Sequence, residues 1–140
     1  MISPPSLDDI EALAAEALTV LPQRLRQFTT ALVIRVAEFP DDDVMAEMGL
    51  ESPFDILGLY QGIAMDEEQV EHSGNLPNMV FLYRRPILDY WCETGEDLAH
   101  VVRHVLIHEI GHHFGFSDAE MEALEAEAEA EAEAEERARD

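Results

Sequence analysis

The chain has 140 residues, a formal net charge of −23 at pH 7, 47% hydrophobic residues and not one lysine. That length suits one domain with a single core, and that apolar share argues for a folded chain rather than a disordered one. A field this negative repels phosphate backbones, which argues against nucleic acid and in favour of a peptide or protein partner of basic character.

The first residues, Met-Ile-Ser-Pro-Pro-Ser, lack a basic start and an apolar leader. No apolar run approaches the ~20 residues that cross a bilayer. The expectation is a cytoplasmic protein with no membrane partner; the oligomeric state is open. The single cysteine, Cys92, excludes an internal disulfide. Following Tyr90 and Trp91, it reads as a packed small apolar residue rather than a nucleophile.

In chain order, Ser6 with Asp8 and Asp9 marks a helix start, and Ile10, Leu13, Ala14, Ala17 and Leu18 follow at helical spacing up to Pro22. Ala31 to Phe39 is β-branched and reads as a strand closed by Pro40. Val44, Met45 and Met48 form a short helical turn before Gly49. Ile56 to Tyr60 is a weaker strand, interrupted by Gly58. Gly74-Asn75-Leu76-Pro77-Asn78 is a loop by composition, and Met79 to Tyr83 a good strand. Pro86 suits the first turn of a short helix through Trp91. Thr94 reads as the N-cap of a long helix from Gly95 to Gly115, apolar at Leu98, Val101, Val102, Val105, Leu106, Ile107, Ile110 and Phe114. A helix apolar round most of its circumference belongs in the core.

Gly115 suits a C-terminal cap, and Ser117 with Glu120 is a capping-box pattern that starts another helix. That helix runs into alternating Glu-Ala from Glu125 to Glu135, where carboxylates at i, i+4 repel one another. The expectation is that residues 1–121 form the domain and 122–140 an acidic Glu/Ala-rich tail, frayed and solvated.

The chemistry lies in His108-Glu109-Ile110-Gly111-His112. Residues i and i+4 share a helix face one turn apart, so both imidazoles can converge on one ion. Glu109 sits about a quarter turn from His108, where its carboxylate can reach water activated by a metal without taking a ligand position. A catalytic zinc needs three protein ligands and one open position. Gly115 can turn the chain back and bring Asp118 to the metal as third ligand, completing H-E-x-x-H-x-x-G-x-x-D. Burying two histidines and a glutamate in so apolar a helix without a partner would be costly. The expected cofactor is therefore Zn2+. Asp118 also suits a first-turn acid of the next helix. His104, one turn before His108, reads as a surface or packing residue, as does His100; His113 points away from the ligand face, and His72 is isolated.

The motif resembles that of the metzincins. In that comparison His108, His112 and Asp118 match the ligands, Glu109 the general base and Gly115 the glycine. The methionine turn of that group has no counterpart, since Met121 stands too close to the ligands. The stretch Leu76-Pro77-Asn78, Leu82-Tyr83-Arg84, Pro86, His108 to Gly115 and Asp118 is also similar to a small bacterial family of minimal zincin-like proteins. The match runs from about residue 76 to 121. That resemblance implies a compact single-domain α+β zincin fold, a small mixed sheet packed on a buried active-site helix, and metallopeptidase activity. It also implies an edge strand at the cleft, for which Met79 to Tyr83 is the candidate, and substrate contacts from Tyr83 or Arg84.

Peptide-bond hydrolysis by a metal-activated water, with Glu109 as general base, is the leading reading. The alternative is an inactive zincin-like module for metal binding or protein interaction. A metal-dependent endoribonuclease is less well supported: one such family carries glycine at the position of Glu109, and the acidic charge opposes RNA.

Overall fold

The computed structural model describes residues 3–62 and 78–139. The first helix, α1 (Leu7–Thr19), begins at a capping box. The Ser6 hydroxyl accepts from Asp9 N at 3.1 Å and the Asp9 carboxylate accepts from Ser6 N at 2.8 Å. Ile10, Ala14 and Ala17 are its buried stripe. Pro22 opens a short turn of helix, α2 (Gln23–Arg26), and strand β1 (Val33–Ala37) follows. Asp41 caps α3 (Asp42–Glu47) by accepting from Val44 N at 2.8 Å.

Strand β2 spans Gly58–Gln61 and β3 spans Met79–Tyr83. The sheet order is β1-β3-β2. β1 runs parallel to β3, with Val33 opposite Met79, and β2 runs antiparallel to it, with Gly58 opposite Leu82. Met79–Tyr83 is therefore the central strand and not the edge strand expected from the sequence. It is the most apolar of the three, with Val80 and Leu82 fully buried, and both of its edges are paired. The edge beside the next helices belongs to β2. Gly58 is required there: a Cβ would stand 2.7 Å from Val105 Cγ1 and 2.9 Å from Phe81 O. The expected loop at 74–77 and His72 lie outside the described residues.

Helix α4 (Arg84–Thr94) ends at Gly95, whose φ of 69° is left-handed. This stop moves the start of the long helix, α5 (Leu98–His113), to Asp97. Thr94 is thus the last residue of α4 rather than the N-cap of α5. Its hydroxyl accepts from Glu96 N at 3.3 Å. Cys92, expected to pack, is exposed on α4.

α5 packs against β2, β3 and α1, and on another side against α6 (Asp118–Arg139). Val101, Val102, Val105, Leu106, Ile107 and Ile110 are all buried. Being covered from several sides is what a helix of this composition needs. The architecture is α+β, a small mixed sheet on a buried helix, as expected.

The junction of α5 and α6 is tightly specified. Phe116 N donates to Gly111 O at 2.9 Å and Gly115 N donates to His112 O at 3.2 Å, with Gly115 at φ +80°. This is a Schellman cap. Ser117 and Glu120 then close the expected capping box, at 3.0 and 3.1 Å. Gly111 lets the two helices meet, since a Cβ there would stand 2.7 Å from Met121 Sδ.

The acidic segment expected to fray is a continuation of α6. Met121, Leu124 and Ala128 are buried, and Ala132 packs against the core. Apolar positions recurring at three and four residues dock one face, and this outweighs the repulsion along the other. Several acids along the docked edge also find cations: Glu120 meets Arg24 and Glu129 meets Arg103, each at 2.8 Å. Accordingly, Leu124→Ala should cost about 2–4 kcal/mol in chemical denaturation. Removing the exposed Glu133 carboxylate (Glu133→Ala) should change stability by less than about 0.5 kcal/mol. A frayed segment would make both changes silent.

Candidate active site

The HExxH run occupies the last turns of α5, where the helix leaves the core. Its side chains line a cleft of about 180 Å³ formed by Ile56, Leu57, Gly58, His104, Val105, His108, Glu109 and His112. One wall is α5 and the other is the start of β2. A larger hollow of about 300 Å³ between Val20–Arg24 and Glu127 and Glu131 holds none of the motif residues.

Glu109 is half-buried in this wall. Burial raises its carboxyl above the ordinary glutamate value of 4.5, and neighbouring His112 partly offsets the rise. The Schellman turn delivers Asp118 to the same place: its Oδ1 lies 3.8 Å from His112 Nε2. Both side chains are open to solvent, Asp118 at 95% exposure, so the contact contributes little by itself. The rings of His108 and His112 stand 5.7 Å apart, edge to face.

His108 is turned to a different acid. Its Nε2 meets Glu125 Oε2 at 3.2 Å, while His104 Nδ1 hydrogen-bonds Glu125 Oε1. Among the described residues, His104, His108 and Glu125 are the group whose potential ligand atoms all lie within 4.8 Å of one another. The structure thus brings Asp118 to His112, but holds His108 beside His104. Sequence reading left His104 outside the site, and Glu125 was lost in the Glu-Ala run. The i+4 series 100, 104, 108, 112 was the available signal.

His113 leaves the ligand face as expected. It stacks on Tyr60 with ring centroids 3.9 Å apart, and burial lowers its pKa. Tyr83 and Arg84 do not line the cleft. Tyr83 is buried beside Phe81 and Asp41, close enough to Glu109 to feel its charge. Burial, then Asp41 and Glu109, push its pKa up to about 12, so the phenol stays protonated. Arg84 is tied down elsewhere, donating to Pro5 O at 2.6 Å and to Glu38 at 2.9 Å.

A short sheet packed on a helix that offers two histidines and a glutamate at HExxH spacing, capped by a glycine turn, defines a zincin-type scaffold. Residues 29–128 match the family described as zincin-like metallopeptidase, and the chain belongs to that family. The match covers most of the chain and extends well beyond 76–121. No curated protein matches the chain. The family implies a divalent metal, typically zinc, and the donor chemistry fits: neutral imidazoles and carboxylates at a solvent-open helix end are acceptable zinc ligands. No helix among the described residues is long and apolar enough to cross a membrane.

The Glu109 geometry has a consequence for stability. An acid whose folded pKa is raised penalises the fold wherever it is ionised there. The penalty is complete above the folded pKa and vanishes below the unfolded one. In metal-free protein, Glu109→Gln should therefore raise the melting temperature by a few degrees at neutral pH. The gain should disappear as the pH falls below about 4.5, measured by calorimetry across a pH series.

Proposed function

We propose that the chain is a zinc-dependent metallopeptidase in which His108, His112 and Asp118 hold the metal and Glu109 is the general base. The observation that carries this reading is the Glu109 carboxyl, raised by burial, beside His112 in the wall of an open cleft. Bound zinc would supply Lewis acidity, polarising the scissile carbonyl and making water easier to deprotonate. Glu109 takes the proton from the attacking water and later delivers it to the leaving amine. A carboxyl whose pKa is moved toward neutrality serves both transfers better than an ordinary one.

The substrate backbone would lie along β2, the strand edge facing the cleft, where an extended peptide can add main-chain hydrogen bonds. Gly58 keeps that edge close to α5. The net charge of −23 favours peptides rich in lysine and arginine.

A second reading has one observation in its favour: the engagement of His108 by Glu125 suits a non-catalytic metal-binding module. A peptide-library cleavage assay on zinc-loaded protein separates the two. Wild type should cleave, with preference for basic peptides, and Glu109→Gln should lose about 10²–10⁴-fold in kcat/KM while retaining zinc. Zinc-loaded wild type that cleaves no peptide would sink the peptidase reading in favour of the binding module.

A further inference from the structure

The face of α5 that meets α6 carries a ladder of histidines, each beside an acid. His100 Nδ1 meets Glu129 at 2.8 Å, His104 and His108 share Glu125, and His112 lies 3.8 Å from Asp118. The rungs differ in charge. Glu129 is met by His100 and by Arg103, each at 2.8 Å, and these two contacts hold its carboxyl below the ordinary value. No arginine stands against Glu125 among the described residues; its charged oxygens face two imidazoles, and its side chain is only 18% exposed.

We propose that His104, His108 and Glu125 form a second divalent-metal position, which shares His108 with the set His108, His112 and Asp118. His104 and His108 repeat the i, i+4 spacing of His108 and His112, so the middle histidine belongs to two adjacent pairs. Each pair has its own carboxylate from α6, Asp118 for one and Glu125 for the other. The rings of His104 and His108 are 4.1 Å apart and all three potential ligand atoms lie within 4.8 Å. Zinc bonds of about 2.0–2.2 Å in a tetrahedron need donors somewhat closer than that, so a small inward movement completes the set. Two nitrogens and one anionic oxygen suit zinc, and the partly exposed rings leave a fourth position to water.

Sharing makes the two positions exclusive, because His108 Nε2 cannot ligate both ions. A metal at the Glu125 position leaves Glu109, His112 and Asp118 without it. The chain would then hold zinc in a resting form, apart from the catalytic arrangement. This inference does not depend on peptide cleavage.

The test is a Zn2+ titration of the full chain, stripped of metal, in competition with a chromophoric chelator. Circular dichroism verifies the fold of each variant. Wild type should bind one equivalent. The double variant His112→Gln, Asp118→Asn should still bind one equivalent. Adding Glu125→Gln or His104→Gln to it should weaken binding by at least ~10-fold. Loss of zinc from the double variant would overturn the proposal. So would tighter binding in the single variant Glu125→Gln, which would make Glu125 a competitor rather than a ligand, and so would two equivalents on wild type. Failure of peptide cleavage leaves these outcomes unchanged, and failure here leaves the peptidase assay standing.

Discussion

Helix α5 has apolar residues on nearly every side, and no single layer can cover it. The sheet and α1 take some of its faces and α6 takes another. What remains is a seam between β2 and α6, and the histidines of the motif emerge there. His104, His108, Glu109 and His112 lie along that seam because the rest of the circumference is committed to the core. The site is a consequence of how the helix is buried. Its shape is set by two glycines: Gly58 admits β2 on one side and Gly111 admits Met121 on the other. Either glycine, given a side chain, would force the cleft wall to shift.

Local signals were readable in proportion to how local their physics is. The caps at Ser6, Ser117 and Gly115 depend on a few neighbouring residues, and each reading held in the structure. The long apolar helix was legible from its periodicity. Strand roles were not: Met79–Tyr83 reads as a strand, but being central is a matter of partners far along the chain. The Glu-Ala run misled for a related reason. Its charge repulsion is visible in the sequence, whereas the docking of Leu124 and Ala128 depends on α5 being in place. Thr94 failed as an N-cap because Gly95 takes a left-handed conformation, and a helix cannot pass through it.

The HExxH spacing was likewise legible, because i and i+4 share a face in any helix. The partner of each histidine was not. Two carboxylates of α6 stand along this face, Asp118 beside His112 and Glu125 beside His108, and the sequence points only to Asp118. Glu125 sits seven residues further on, two turns along α6 and about 10 Å away, which places it beside the previous turn of α5 in an antiparallel pair. Only the docking of α6, itself unforeseen, brings Glu125 into reach.

The exposure of the expected ligands bears on what organises them. Asp118 is almost fully exposed and His112 more than half so, and 3.8 Å is too long for a strong charge-assisted hydrogen bond. Nothing in the fold itself draws His108, His112 and Asp118 to a point. In larger metal sites a rigid shell holds the ligands ready and binding costs little rearrangement. A metal held by all three would have to gather them itself, and Glu125 already hydrogen-bonds His104 and His108. The two acids of α6 divide the histidines along this face of α5, Glu125 beside His104 and His108 and Asp118 beside His112.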